Sequence, residues 1–459
     1  MNKVQAFYDK IKGKRIAVVG VGVSNTPVIE LLVNHGAQVT ACDKKTPEEL
    51  GETYTRLSEM GVTFVTGPEY LDHFDHDIIF KTPGLRCDVP QLVEAAKKGA
   101  EITSEMEVFF ELCPCPIFGV TGSDGKTTTT SIICEMLRAQ GLTCHVGGNI
   151  GKPLLPEIES IQEKDVAVVE LSSFQLHTMQ HSPHVAVITN VAPNHLDWHT
   201  GMEEYVEAKQ HLMAHQKPDD RVVLNAENDI TRGFVADAKG ECFTFSSKQP
   251  VQQGLYLDGE TIVSNVGGEK RDIMNIHDIR IVGMHNVENY MAAMAAVWGY
   301  VDVERMVEVA KTFAGVEHRI EFVRELDGVK YYNDSIASSP TRTIAGLHSF
   351  NQKVILIAGG YDKKLPFDEL GKEMLDHVKL LILTGATSDK IEQSLKNAPG
   401  YAGQPPIIRC ANMDEAVATA CREAKSGDIV TLSPACAAFD AFPNFAVRGR
   451  YYKELVSKL

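Results

Sequence analysis

No stretch of the chain approaches the roughly 18 consecutive apolar residues of a membrane-spanning helix, so the sequence predicts no membrane insertion. Residues 1–20 lack an apolar stretch followed by a small-residue cleavage site, and we therefore expect no signal peptide. Basic residues are fewer than acidic residues. The chain has 45 Lys and Arg and 61 Asp and Glu, which gives a formal net charge of -16. An acidic surface repels nucleic-acid phosphates and anionic lipids, so neither is expected as a partner.

Cysteine pairs at metal-site spacing are also missing. The ten cysteines are scattered, and Cys113 and Cys115 have no second pair at the distance of a zinc site. This distribution is typical of reduced, mostly buried thiols in a cytoplasmic protein. The sequence also lacks low-complexity tracts and repeats beyond an α/β alternation. Apolar residues at 44% and charged residues at 23% indicate an ordinary globular chain.

Short apolar runs alternate with helical patterns along the chain, which is typical of parallel sheets covered by helices. Residues 240–280 instead carry short alternating pieces that predict a small antiparallel addition. The apolar runs are RIAVVG (15–20), QVTACD (38–43), HDIIFKTPG (76–84), PIFGVT (116–121), DVAVVELSS (165–173), VAVITNV (185–191), RVVLN (221–225), VKYYND (329–334), KVILIAGG (353–360), LLILTG (380–385) and DIVTLSP (428–434).

A chain of 459 residues exceeds what one hydrophobic core usually supports, and the runs fall into three α/β blocks. We predict a Rossmann-like N-terminal domain over 1–104, a central phosphate-loop domain with a parallel sheet over 105–315, and a Rossmann-like C-terminal domain over 316–459.

The segment GVTGSDGKTT (119–128) follows an apolar strand and opens a helix. Glycines at 122 and 125 allow a tight turn whose N–H groups face an anion, and the helix N-terminus favours negative charge. Lys126 would reach the β- and γ-phosphates, and the hydroxyl of Thr127 or Thr128 would ligate Mg²⁺. The first glycine of the strict pattern would stand at 120, where this chain has Val. The predicted nucleotide-binding residues of this loop are Gly122, Ser123, Asp124, Gly125, Lys126, Thr127 and Thr128.

A second glycine-containing turn, GVGVS (20–24), follows the first strand, and Asp43 ends the next strand. This pattern is similar to a dinucleotide fingerprint in which the acidic residue binds a diol. The third glycine would stand at 25, which is Asn. The turn therefore fits a nucleotide or nucleotide-sugar diphosphate better than a nicotinamide cofactor, and a purely structural turn stays open.

Glu170 ends the strand DVAVVE, and His195 and Asp197 follow the next strand in NHLDWH. Parallel strands deliver such side chains to the same sheet edge, next to the phosphate loop. A carboxylate and an imidazole at that edge can bind a Mg²⁺ that bridges phosphates and an activated oxygen.

Together these residues resemble the Mur ligase family, and the matching segments run through nearly the whole chain in family order. They are GVTGSDGKTT, GGNIG (147–151), ELSSFQL (170–176), NHLDWH (194–199), EAK (207–209), GMHNVEN (283–289), EHRIE (317–321), YYNDS (331–335), GGYDKK (359–364) and LSPACAAFDAFPNFAVRG (432–449). Within the family, ELSSFQL and LSPACA favour the member that adds D-glutamate to UDP-N-acetylmuramoyl-L-alanine.

The resemblance implies an ATP- and Mg²⁺-dependent ligase, here expected to be a cytoplasmic monomer, that passes through an acyl phosphate. It implies catalytic roles for Lys126, His195 and Lys209 and a nucleotide role for Asn289, Arg319 and Asp334. Lys209 matches a lysine that is carbamylated in the family, and a carbamate, unlike an ammonium, can ligate Mg²⁺. The implied metal ligands are Thr127, Glu170, His195 and Lys209. The implied substrate-binding residues are Val23, Ser24, Asp43, Thr82, Pro83, Gly84, Asn149, His195, Lys363 and Phe445.

Two C-terminal positions depart from the family pattern. Ile336 stands where the family has lysine, and Ala438 stands where a serine commonly contacts the carboxylate of the incoming amino acid. Arg342, Lys364 or backbone amides near 438 would have to supply that contact.

Three other functions remain open from the sequence alone. Within the same enzyme class, a sibling ligase would add another amino acid, and a folylpolyglutamate-type ligase is the other alternative. A nicotinamide-dependent oxidoreductase would use the turn at Gly20, and a non-catalytic nucleotide-binding regulator would bind ATP without turnover.

Overall fold

The computed structural model describes residues 3–72 and 74–459. Residues 1, 2 and 73, which belong to the predicted first domain, lie outside the described residues. The chain divides into two compact units, of which the first contains 1–276 with 288–309 and the second 277–287 with 310–459. The predicted three domains, with boundaries near 104 and 315, stay a prediction, although each predicted domain contains one sheet.

The first sheet consists of parallel strands in the order β3-β2-β1-β4-β5 within the described residues. From β1 the chain continues to β2 and β3 on one side, and it then crosses to β4 on the other side of β1. The turns after β1 and β4 therefore flank the crevice at this topological switch point. The elements are α1 Lys3–Ile11, β1 Arg15–Val19, α2 Asn25–Asn34, β2 Gln38–Asp43, α3 Pro47–Leu50, α4 Glu52–Glu59, β3 Thr63–Thr66, β4 Ile78–Phe80, α5 Pro90–Lys97, β5 Glu101–Thr103 and α6 Glu105–Leu112.

The central sheet has the order β14-β13-β12-β11-β10-β9-β6-β8-β7 over the part of the chain that is described. Strand β6 therefore lies between β8 and β9, and all three end at one edge. The elements are β6 Ile117–Thr121, α7 Lys126–Ala139, β7 Cys144–Gly148, β8 Val166–Glu170, α8 Ser173–Leu176, β9 Val185–Ile188, α9 Met202–Ala214, β10 Arg221–Asn225, α10 Asp229–Gly233, β11 Glu241–Ser246, β12 Gly254–Asp258, β13 Thr261–Val266, β14 Glu269–Asn275, α11 Met284–Val297 and α12 Val303–Thr312.

The third sheet belongs to the second unit and has the order β15-β16-β20-β17-β18-β19 among the described strands. Strand β15 is antiparallel to β16, and the other pairs are parallel. The elements are β15 Glu321–Leu326, β16 Val329–Asn333, α13 Pro340–Leu347, β17 Val354–Ala358, α14 Asp368–His377, β18 Val378–Leu383, α15 Ser388–Lys396, β19 Ile407–Arg409, α16 Met413–Glu423, β20 Ile429–Leu432 and α17 Phe445–Ser457.

The predicted α/β class is confirmed, and the strands at 38–43 and 221–225 have the predicted bounds. The antiparallel addition over 240–280 is partly wrong, because β11 pairs in parallel with β10 and β12 in parallel with β11. The long connection between β10 and β11 allows this crossover, whereas short turns make β12, β13 and β14 antiparallel. None of the helices in the described part of the chain is long and apolar enough to span a membrane.

Candidate active site

The predicted phosphate loop connects β6 to α7 at the edge of the central sheet. Gly122 has a φ of 152° and Gly125 a φ of 80°, a backbone region that favours glycine. A Cβ atom at Gly122 would lie 1.9 Å from Thr189 Oγ1, and one at Gly125 would lie 2.4 Å from Asn289 Oδ1. The close packing of these neighbours therefore requires both glycines.

Two lysine ammonium groups meet at this loop. Lys126 Nζ and Lys209 Nζ both donate to the carbonyl of Gly122, at 2.9 and 2.8 Å. Lys209 is 2% exposed, and burial together with the charge of Lys126 lowers the pKa of Lys209 to about 7. A carbamate forms only from a neutral amine, so this environment suits the predicted carbamylation.

Backbone contacts anchor the loop to the segment after β9. Ser123 N donates to the Asn190 carbonyl and Asp124 N donates to Asn190 Oδ1, both at 2.9 Å. The hydroxyl of Ser123 donates to the Ala192 carbonyl at 2.9 Å. These two loop N–H groups are therefore engaged within the protein, and the N–H groups at the start of α7 are the ones that the loop offers to an anion.

Glu170 is 1% exposed at the end of β8, directly beside β6. Its Oε1 accepts a hydrogen bond from Asn149 Nδ2 at 2.9 Å, which brings two of the predicted residues together. Its Oε2 is buried and has no hydrogen-bond partner among the described residues. A buried carboxylate oxygen with no partner is costly unless a ligand satisfies it, so Glu170 fits the predicted Mg²⁺.

His195 lies in the exposed turn that follows β9 and has a φ of 52°. Its ring packs 4.9 Å from the ring of Phe174. Partial burial and then the charge of Lys126 lower the pKa of His195, which favours the neutral imidazole that binds metals.

Asn289 lies beside the loop on α11. Its Oδ1 accepts a hydrogen bond from Thr129 Oγ1 at 3.2 Å and occupies the space next to Gly125. The structure therefore brings this predicted nucleotide residue to the start of α7.

The first sheet places Asp43 under the first glycine turn. Asp43 Oδ2 accepts a hydrogen bond from Val21 N at 2.6 Å, and Oδ1 accepts one from Lys45 N at 2.9 Å. Asp43 therefore orders the turn, in addition to any role in binding a diol. Val23 is 83% exposed and Ser24 is exposed as well, so both are accessible to a ligand.

The turn after β4 contains the predicted residues Thr82, Pro83 and Gly84. The side chain of Thr82 lies against Gly20, where an added Cβ would be 3.2 Å from Thr82 Cβ. The Gly84 carbonyl accepts a hydrogen bond from Trp198 Nε1 at 2.9 Å. The two turns of the first sheet thus lie together, and one of them contacts the segment that contains His195.

Sequence reasoning missed an ion-pair network that joins these segments. Arg86 makes hydrogen bonds of 2.8 and 3.1 Å with the two carboxylate oxygens of Glu204 and donates to the Trp198 carbonyl at 3.0 Å. Its guanidinium lies 4.9 Å from the Trp198 ring centroid. Arg86 pairing lowers the pKa of Glu204 far below its usual value. No motif signals these residues, because their partners are more than a hundred positions apart.

In the second unit, Asp334 is 4% exposed and accepts hydrogen bonds from Ser433 Oγ at 2.8 Å and Ile320 N at 3.2 Å. Burial raises the pKa of Asp334 to about 7, against the opposing effects of these hydrogen bonds and of Arg319. Asp334 thus contacts Ile320, the residue that follows Arg319, and the nucleotide role of both stays a prediction.

Lys363 is exposed, and Phe445 is 37% exposed at the start of α17. The Phe445 ring packs 5.9 Å from the ring of His318. Ala438 is 2% exposed, so it offers an incoming carboxylate little accessible surface. Arg342, named above as a substitute contact, donates to the Ile336 carbonyl at 3.3 Å from an exposed position.

A buried arginine that sequence reasoning also missed connects two C-terminal motifs. Arg448 is 2% exposed and donates to Ser335 Oγ at 3.0 Å and to the carbonyl oxygens of Ser335, Cys436 and Ala437 at 2.9, 3.0 and 3.0 Å. Burial lowers the pKa of Arg448 to about 10. In the sequence, Arg448 is distinguished only as a charged residue within the motif LSPACAAFDAFPNFAVRG, which does not predict its burial.

The fold and the residues at this sheet edge define a class of protein. It is an α/β protein whose central, mostly parallel sheet presents a phosphate-loop-type turn beside a carboxylate at the end of a strand. The Mur ligase middle domain matches residues 120–297, and the Mur ligase, glutamate ligase domain matches residues 318–436. The chain belongs to the Mur ligase family.

Relatives match the chain along its length. A UDP-N-acetylmuramoylalanine–D-glutamate ligase from Acetivibrio thermocellus is 53% identical, and the match covers 100% of this chain and 99% of the relative. A protein of the same name from Clostridium novyi is 51% identical, with 99% and 98% covered.

Two solved structures share the fold. UDP-N-acetylmuramate-alanine ligase MurC from Thermotoga maritima matches with a TM-score of 0.58 at 19% identity and covers 97% of this chain and 99% of its own. MurF ligase from Thermotoga maritima in complex with ADP matches with a TM-score of 0.56 at 17% identity, with 98% and 96% covered.

Proposed function

We propose that the protein is an ATP-dependent ligase that adds D-glutamate to UDP-N-acetylmuramoyl-L-alanine, a step of peptidoglycan precursor synthesis. The observation that carries this proposal is the full-length similarity, 53% and 51% identity, to relatives named for this activity. The site geometry is consistent with it, because a glycine-rich loop, two lysines and a strand-end carboxylate share one sheet edge.

In the proposed reaction, the alanyl carboxylate oxygen attacks the γ-phosphorus of ATP, and the bond to the β,γ-bridging oxygen breaks to release ADP. The amine of D-glutamate then attacks the acyl carbon of the acyl phosphate. The tetrahedral intermediate collapses to the amide, phosphate leaves, and the amine proton is lost. Bound Mg²⁺ would neutralise phosphate charge during the first step.

The chain's own groups have distinct proposed tasks. Lys126 and the start of α7 would bind the phosphates, with the residues Gly122 to Thr128 as the loop and Asn289 next to it. Glu170, whose Oε2 has no partner in the described part of the chain, would hold the metal together with Thr127, His195 and carbamylated Lys209. Asn149, hydrogen-bonded to Glu170, would orient the acyl end of the substrate.

In the second unit, Arg319 and Asp334 would bind the nucleotide, and Lys363 and Phe445 would bind D-glutamate. The remaining substrate residues, Val23, Ser24, Asp43 and Thr82 to Gly84, would hold the uridine diphosphate. A cytoplasmic monomer without nucleic-acid partners stays a prediction.

A screen of amino acids tests this proposal. Purified protein is incubated with ATP, Mg²⁺ and UDP-N-acetylmuramoyl-L-alanine, and phosphate release is measured with D-glutamate, L-lysine or diaminopimelate. We expect release with D-glutamate. Release with L-lysine or diaminopimelate but none with D-glutamate would replace this assignment with a sibling ligase.

A further inference from the structure

Two histidines and a glutamate meet on the surface of the second unit. His348 directly follows α13, and Glu373 and His377 lie four residues apart on α14. The Nε2 atom of His348 lies 2.6 Å from Glu373 Oε2, and the Nε2 atom of His377 lies 3.5 Å from the same oxygen. One possible ligand atom from each residue lies within 4.8 Å of the other two. Three donor atoms from two elements therefore meet at one point.

The spacing of these atoms suits a metal ion. Zn²⁺ binds imidazole nitrogens and carboxylate oxygens at about 2.0–2.2 Å, so two ligand atoms of a tetrahedral site lie about 3.3 Å apart. The two measured distances lie on either side of this value, and small side-chain rotations would equalise them. Glu373 and His377 already share one face of α14, because helix residues four apart are neighbours.

Ordinary ion pairing accounts for only part of this cluster. The ring centroids of His348 and His377 are 4.7 Å apart beside one carboxylate. If both imidazoles were protonated to pair with Glu373, their charges would repel each other at this distance. A divalent cation uses all three groups at once, since two neutral imidazoles and a carboxylate can each donate an electron pair to it.

The donor set and its exposure indicate which ion fits. Imidazole nitrogens suit zinc and its neighbours among the transition metals, whereas Mg²⁺ prefers oxygen ligands. The side chains of His348, Glu373 and His377 are 51%, 34% and 28% exposed, so an ion can enter from solvent. With three protein ligands, the fourth position of a tetrahedral ion would hold water.

We propose that His348, Glu373 and His377 bind a divalent transition-metal ion such as Zn²⁺, which joins the end of α13 to α14. The ion would bind the folded state and stabilise the second unit by mass action. The inference goes beyond the proposed function, because none of the three residues has a task in the ligase reaction.

The test titrates the full chain with Zn²⁺ by calorimetry slightly above neutral pH, with excess Mg²⁺ present to fill magnesium sites. His348→Gln and His377→Gln each remove one ligand from an exposed or half-buried position. His277→Gln is the matched control, since His277 is an exposed histidine of the same unit. We expect one Zn²⁺-binding event whose Kd rises at least about tenfold in either ligand variant and is unchanged in the control.

Co²⁺ provides a second readout. The wild-type chain should give a visible ligand-field absorption band with Co²⁺, and the double variant His348→Gln/His377→Gln should lack that band. Zn²⁺ should also raise the melting temperature of wild type more than that of the double variant.

Equal Zn²⁺ affinity and stoichiometry of the wild type and the double variant, in chains that melt cooperatively, would overturn the inference. Loss of the binding event in excess Mg²⁺ would overturn it as well, because the ion would then belong to an oxygen-ligand site. Either result leaves the proposed ligase function standing, since that function is tested by phosphate release.

Discussion

The edge of the central sheet and the motifs of the third sheet hold their candidate residues in different ways. At the central edge, neighbouring parallel strands deliver Glu170 and the phosphate loop side by side, and Lys209 reaches the loop from α9. In the second unit, Lys363 and Phe445 are exposed, and buried Arg448 holds the surrounding segments together. The comparison teaches that strand order places the loop and Glu170 side by side, whereas the segments of the second unit are joined by one long-range side chain.

The largest effect on activity is expected from Lys126→Ala. Loss of a cation directed at the transferring phosphoryl group should lower turnover by about 10²–10³-fold. Phosphate-release kinetics check this, with Lys217→Ala as a control, because Lys217 is an exposed lysine of the same unit. Near wild-type turnover of Lys126→Ala would contradict the assignment of ATP binding to this loop. The central sheet edge would then no longer be the candidate site in the comparison.

A comparable loss is expected from Lys209→Ala, because the variant has no amine to carbamylate. Added short carboxylates should restore part of the activity by entering the space that the side chain leaves. Turnover is measured with and without acetate or formate. Full activity of the variant without additives would exclude Lys209 from the metal site.

Replacement of Arg448 by Met tests the other half of the comparison through stability. Its removal leaves the buried carbonyls of Ser335 and Cys436 without their side-chain donor, which should cost about 3 kcal/mol of unfolding free energy. Urea titration measures this, with exposed Arg450→Met as the control. Equal stability of the two variants would mean that Arg448 does not hold these segments together.

A pH-dependent effect is expected at Asp334, whose pKa is raised from 3.8 to about 7. Between these two values the folded state holds a proton that the unfolded state has released, so wild-type stability falls as pH rises through this window. Asp334→Asn removes this dependence, and its melting temperature relative to wild type should rise by several degrees from pH 4 to pH 8. A constant difference between the two proteins would contradict the shift.

The smallest effect is expected from Ala438→Ser, which restores the hydroxyl common in the family. One added hydrogen bond to the amino-acid carboxylate is worth about 1 kcal/mol, so the KM for D-glutamate should fall by up to about fivefold. Initial rates at varied D-glutamate measure this. A rise in KM would contradict this expectation. It would show that other contacts already bind the carboxylate of D-glutamate and that the added hydroxyl disturbs them.

Much of the fold follows from local patterns, because buried strands such as QVTACD and RVVLN read as apolar runs between turns. The positions of the glycine loop and of Glu170 at the sheet edge could be predicted for the same reason. Both follow from a few neighbouring residues, a glycine motif in one case and the end of an apolar strand in the other. The parallel pairing of β11 and β12 was not, because register depends on partners far along the chain. Arg86 and Arg448 were missed because their importance comes from burial and from partners far along the chain.

The central claim is that the turn after β6 and Lys126 bind the triphosphate. A crystal soaked with Mg²⁺ and a non-hydrolysable ATP analogue tests it most directly. We predict phosphate oxygens within hydrogen-bond distance of the N–H groups at the start of α7 and of Lys126 Nζ, with the metal on Glu170. An empty turn, with the triphosphate bound elsewhere, would contradict the account.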